Sequence, residues 1–185
     1  MKKILVFLLV FFIIHIVLVS GIGNNKKFSF TVGAGIRNID AEHFKDIFSG
    51  TNLCFSVDMS YRIIKFGECF LHTDYLSIKG ELDFTKEKTT FSLIPIEFGF
   101  RLLVGKRKFV PYIGIGGGYY MYKDKHPGLE TFSENKFGFF GEGGVKINFS
   151  NSMFFDLKLK YIKLKSEDET DLGGLAYMGG IGFRF

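Results

Sequence analysis

The sequence predicts an all-β chain: an eight-stranded antiparallel up-and-down transmembrane β-barrel, preceded by an N-terminal signal peptide helix. Three observations carry this. Segments alternating in character recur eight times after residue 25, and a period of two marks a strand. The joins between them are short and long in turn, as in barrels with tight periplasmic turns and longer extracellular loops. One face of each segment is large and apolar, while the other is small or charged. A sandwich in water would show its charges outside and bury the apolar face, so the bulky face is assigned to lipid.

Composition agrees with that class. Glycine accounts for 23 of 185 residues, aromatics reach 17% with 24 Phe, and there is no Trp. Glycine and aromatic residues recurring along short strands are a mark of barrels. The formal net charge is +5; setting Lys2 and Lys3 aside leaves 22 basic against 19 acidic residues, or +3. No long Lys/Arg block is present, so nucleic acid is not an expected partner.

Residues 1–21, MKKILVFLLVFFIIHIVLVSG, place two lysines before an apolar run from Ile4 to Val19 and small residues after it. This order is that of a secretory signal, with cleavage expected near Gly21 or Gly23. The run is short for a spanning helix, and no cysteine follows to suggest a lipoprotein. The barrel domain is assigned to 26–185.

The first segment, 28–36, sets Phe28, Phe30, Val32, Ala34 and Ile36 against Ser29, Thr31, Gly33 and Gly35. In 53–62, Leu53, Phe55, Val57, Met59 and Tyr61 oppose Cys54, Ser56, Asp58, Ser60 and Arg62. The third, about 66–78, turns Cys69, Leu71, Thr73 and Tyr75 outward and Glu68, His72 and Asp74 inward. The fourth places Ile94, Ile96, Phe98, Phe100, Leu102 and Val104 against Glu97, Gly99 and Arg101. In the fifth, Ile113, Ile115 and Tyr119 oppose Tyr112, Gly114, Gly116, Gly118, Tyr120 and Tyr122.

The sixth sets Phe137, Phe139, Val145, Ile147 and Phe149 against Gly138, Glu142, Gly144, Lys146 and Asn148. In the seventh, Phe155, Leu157, Leu159 and Tyr161 oppose Asp156, Lys158 and Lys160. The eighth, which ends the chain, sets Tyr177, Ile181, Phe183 and Phe185 against Ala176, Gly180, Gly182 and Arg184. Tight turns are expected at Ile64–Lys65, Gly105–Lys108 and Ser150–Ser152, and longer polar loops at 37–50, 79–89, 123–135 and 165–172. Tyr75, Tyr119, Tyr161 and Tyr177 then form one aromatic girdle, and Phe149, Phe155, Phe183 and Phe185 the other.

Proline cannot donate to a ladder, and a closed barrel has no edge to accommodate it. Pro111 is therefore placed at the short-turn rim, and Pro95 where the fourth strand rises above the bilayer. Cys54 and Cys69 fall on opposite faces and out of register, which predicts two free thiols.

Three stretches carry a family resemblance. Residues 92–104, SLIPIEFGFRLLV, and 109–122, FVPYIGIGGGYYMY, resemble paired strands of the outer-membrane β-barrel domain family. This is the group of small porin-like proteins with OmpA-, OmpX- and OmpW-type barrels. The terminus GGIGFRF resembles that family's C-terminal targeting signal through Gly180, Phe183 and Phe185, although Met178 departs from its pattern. The resemblance covers most of 26–185. It implies export to the outer membrane of a Gram-negative-type bacterium and recognition by the barrel-assembly machinery, and it brings no catalytic residues.

The inward charges Asp58, Arg62, Glu68, His72, Glu97, Arg101, Glu142, Lys146, Asp156, Lys158 and Arg184 are read as one polar network filling the lumen. Glu97 and Arg101 are expected to pair with strands three and five. The glycines of the fifth strand are expected to make room for Tyr120, Tyr122 and charged neighbours. No helix follows them, so a phosphate-loop reading fails.

No catalytic, cofactor-binding or metal-binding set is expected. The expected role is structural, adhesive or surface-interacting through extracellular loops, with outer-membrane lipid around the barrel and an extracellular partner at the loops. Two alternatives are a narrow channel for small solutes and a lipid-modifying enzyme using His72 and Asp74 beside Ser56.

Overall fold

Alternation fixes which way each strand must face, and the backbone then has to pair completely. Hydrocarbon offers no partner to a free N–H or C=O, so spanning strands close on themselves. The computed structural model describes residues 26–39, 52–81, 88–105, 108–125, 132–164 and 173–185. In it eight strands form one closed antiparallel barrel: β1 (Phe28–Ile39), β2 (Leu53–Ile64), β3 (Gly67–Glu81), β4 (Lys88–Leu103), β5 (Phe109–Lys125), β6 (Phe132–Asn148), β7 (Met153–Leu164) and β8 (Gly174–Arg184). Each strand pairs with its sequence neighbours, and β1 seals the barrel against β8 from Ser29↔Arg184 to Ile39↔Gly174. The signal peptide expected at 1–21 lies outside the described residues.

The apolar face is the outer one. Phe98 is 61% exposed and Ile115 72%, whereas Glu97 between outward neighbours is 0% exposed. Val32, Phe55, Leu71, Phe139, Leu157 and Ile181 repeat this on the remaining strands. Such a surface is stable only against lipid.

Strand ends depart from expectation on the long-loop side. β1 runs through Arg37 to Ile39, β3 to Glu81, and β5 to Lys125, while β4 begins at Lys88 and β6 at Phe132. Segments expected to be loop at 37–39, 79–81, 88–89, 123–125 and 132–135 are therefore strand. On the other side the joins are tight. Residues 65 and 66 alone separate β2 from β3, and Asn148–Met153 is closed by Phe149 N–H donating to Met153 O at 3.0 Å. Gly105, between β4 and β5, has φ of +107°, a conformation open to glycine and strained for side chains with a Cβ.

Pro111 lies at the short-turn rim, where its carbonyl accepts from Val104 N–H at 2.8 Å. Pro95 does not sit at a strand end. It lies well inside β4, and the β3–β4 ladder is interrupted there: Thr73↔Ile96 is followed next by Leu76↔Leu93. The Thr73 hydroxyl donates to Pro95 O at 2.7 Å, so a side chain serves the proline carbonyl where the ladder is interrupted. Cys54 points inward and Cys69 outward, and both are free.

Candidate functional site: the barrel interior

Eight strands enclose a space that side chains can fill completely. Here the filling is stratified from the short-turn end upward, and charge dominates the lower and middle tiers. Lys146 of β6 bonds Glu68 of β3, and Tyr112 of β5 donates to Asp156 of β7 at 2.9 Å. Above them Arg101 of β4 spans the lumen. Its Nη1 and Nη2 donate to both oxygens of Asp58 at 3.0 and 2.6 Å, and its Nε bonds Glu142. Glu68 stands 3.6 Å from the same guanidinium. Lys158 reaches Asp58 at 3.2 Å from the other side.

One turn of the register higher, Glu97 accepts from Tyr120 at 2.9 Å and bonds Lys160. Arg37 and Asp74 meet as an ion pair at 3.8 Å, with the guanidinium 5.6 Å from the Tyr120 ring. A buried charge without a counter-charge is costly, and these groups answer one another across the barrel rather than along one strand. The expected partners of Glu97 and Arg101 on strands three and five are thus incomplete. Arg101 reaches β2 and β6 as well as β3, and Glu97 reaches β7 as well as β5.

Of the eleven residues read as a lumen network, Asp58, Glu68, His72, Glu97, Arg101, Glu142, Lys146, Asp156 and Lys158 are buried inside. Arg62 and Arg184 are only half-buried and line a cavity at the short-turn mouth. Arg184 lies over the Phe154 ring at 4.5 Å, and Arg62 joins none of the ion pairs described.

Sequence reasoning missed Arg37, although the inward parity of Ser29, Thr31, Gly33 and Gly35 continues straight to it. It also missed the apolar tier. Ile39, Leu76, Ile78, Phe91, Leu93, Ile162 and Leu164 pack together inside near the long-loop end, so the inner face is not simply small or charged. The fifth-strand glycines make room for charged neighbours, as expected, but not for Tyr120. A Cβ at Gly114 would lie 3.0 Å from Arg101 Cγ, and one at Gly118 would lie 2.8 Å from Glu97 Cγ. Tyr120 instead covers Gly138 of β6, and Phe70 covers Gly99 of β4 at 2.7 Å.

His72 is fully buried and hemmed in by charge. Its Nδ1 lies 3.4 Å from Asp58 and 3.3 Å from Lys158, and its Nε2 lies 3.4 Å from Asp74. Both ring nitrogens face charged neighbours, and neither activates Ser56 near an outer rim as nucleophilic chemistry would require. Among the described residues no group of three His, Cys, Asp or Glu side chains could hold a metal ion.

At the chain end, Gly180 is buried inside β8 and Phe183 faces outward. Phe185 N–H donates to Phe28 O at 2.9 Å, and the two rings lie 6.3 Å apart. The last residue is therefore stitched to the first strand at the seam that closes the barrel.

A closed eight-strand barrel, apolar outside and ionic within, agrees with the family match. The description "Outer membrane protein beta-barrel domain" matches residues 8–185. The chain belongs to that family. A comparison with curated protein sequences gave no match.

Among solved structures it is similar to Neisserial surface protein A (NspA), with a TM-score of 0.67 at 14% identity over 85% of this chain and 97% of that one. OprG from Pseudomonas aeruginosa gives 0.66 at 13% identity, over 87% and 97%. Ail, the attachment invasion locus protein of Yersinia pestis, crystallised with the heparin analogue sucrose octasulfate, gives 0.64 at 14% identity over 86% and 98%. At such identities the likeness is one of fold.

Proposed function

We propose that this is a non-enzymatic protein of the bacterial outer membrane, exported by a cleaved signal within residues 1–21, whose extracellular loops carry a structural, adhesive or surface-interaction role. The observation that carries the reading is the committed interior. Arg101, Glu97 and Lys158 pair with Asp58, Glu142, Tyr120 and Lys160 across the lumen, and apolar residues cap them at the long-loop end. A filled lumen offers neither a path for solutes nor a free nucleophile, so the surface role is assigned to the loops. The names of Ail and NspA point the same way for those proteins: an attachment locus and a surface protein.

Deleting residues 41–50 and 127–130 removes no strand residue, leaves three residues to turn between the paired Asp124 and Phe132, and tests the reading. Membrane fractionation and heat-modifiable gel migration should show an assembled outer-membrane barrel in both forms. Adhesion of expressing cells to immobilised extracellular matrix should fall with the deletions. Unchanged adhesion and unchanged envelope integrity in assembled variants would remove the loop function, and recovery of the chain in the soluble fraction would remove the location. Planar bilayers holding the wild-type chain should show no stepwise conductance.

A further inference from the structure

The short-turn mouth of the barrel holds a cavity of about 680 Å³ whose charged lining residues are all cationic: Lys26, Lys27, Arg62, Lys65 and Arg184. Among the described residues no Asp or Glu lines it. The carboxylates just inside, Glu68 and Asp156, hold Lys146 and Tyr112, and one Asp156 oxygen is left without a hydrogen bond. Arg62 Nε is buried without a hydrogen-bond partner. A guanidinium has five donors that match oxyanions in a fork, and a donor shut from water without an acceptor is costly. Glu68, which stands opposite Arg62 in the β2–β3 register, is bonded to Lys146, so five cations share the mouth with little opposing charge left over, and an anion there would be favoured.

We infer that this mouth binds an oxyanion of the phosphate class, held by Arg62 and Arg184 with the lysines around it. The site lies at the end opposite the long loops, so it is independent of the role proposed for them. The rim beside it is apolar: Ile63, Ile64 and Phe66 are exposed. That neighbourhood suits a phosphate carried on a lipid headgroup, while the cations alone would also take a free phosphate. The chemistry recognised is the same in both.

The full chain in an uncharged maltoside detergent is titrated separately with inorganic phosphate and with short-chain phosphatidylglycerol, following backbone amide shifts by NMR. Saturable shifts confined to residues 26–29, 62–67 and 182–185 are expected, weakening as sodium chloride rises. R62Q/R184Q should weaken binding roughly tenfold or more, since each lost charge-assisted bond carries about that factor. K123Q, at the far end of β5, should leave binding unchanged. Saturation by phosphatidylglycerol alone assigns the site to a headgroup, and saturation by both probes assigns it to the phosphate itself. If neither probe saturates, or if R62Q/R184Q binds as the wild type does while keeping its amide spectrum, the inference is overturned.

Discussion

At the scale of single residues, the interior is held by a few side chains that each satisfy several others. Arg101 is the extreme case, with Asp58 on one side and Glu142 on the other, all buried. Replacing it with a methionine roughly keeps volume but strands Glu142 and leaves Asp58 to Lys158 alone. Arg101→Met is therefore expected to lower stability by about 3–5 kcal/mol, measured by urea unfolding in liposomes. Adding Glu142→Gln, which removes the carboxylate left alone while Asp58 keeps Lys158 at 3.2 Å, should restore part of that loss. A smaller effect is expected at Pro95. Thr73→Val removes the hydroxyl that serves its carbonyl and should cost about 1 kcal/mol. A loss well below that would mean that the gap in the ladder needs no bridge.

Individual elements show what the sequence could and could not reveal. Between the short turns and the outward tyrosines Tyr75, Tyr119, Tyr161 and Tyr177, contrast was high, because bulky residues faced outward and polar or small ones filled the lumen. Strand identity and facing were legible there, down to His72 and Asp74 pointing inward. Above the tyrosines the contrast fades. The outward residues become Ser77, Lys123, Ser133, Asn135 and Lys163, since that part of each strand faces water. β5 and β6 are 17 residues long, against the roughly 9–11 that a tilted strand needs to span. A polar outer face with a mixed inner face has no period of two to read, so these extensions resembled loops, and Arg37 was lost with them. The apolar inner tier was hidden for a related reason: Phe70 and Phe140 break the alternation unless their glycine neighbours on the next strand are known. The last strand gives a prediction of its own. Phe185 closes the seam through one backbone bond and a ring contact with Phe28, a modest share of the β1–β8 ladder. Deleting it should leave the refolded barrel nearly as stable in vitro, yet reduce outer-membrane assembly in cells if the terminal aromatic is read by the assembly machinery. Equal assembly of both chains, measured by heat-modifiable migration, would mean that the residue serves the seam alone.

For the molecule as a whole, the solvent decides which side of each strand is inside. In water this chain would be inverted: Glu97, Arg101 and Lys160 enclosed while Phe98, Ile115 and Phe139 stood bare. A bilayer makes the arrangement favourable, and it also makes the outer face depth-dependent in a way that water would not. Counting from the short-turn end of β4 at Leu103, a span of about ten residues puts Phe98 near the hydrocarbon centre. Phe109, the first residue of β5, lies at the rim. Both side chains are about equally exposed, at 61% and 59%, so exposure alone predicts equal tolerance of charge. Depth predicts otherwise. Phe98→Arg should cost about 2–4 kcal/mol and Phe109→Arg about 0–1 kcal/mol, read from unfolding of each variant in liposomes. In detergent, where no fixed slab of hydrocarbon surrounds the barrel, the gap between the two should narrow. Equal costs in liposomes would mean that the apolar belt does not sit across a bilayer, and the facing of every strand would then need another cause.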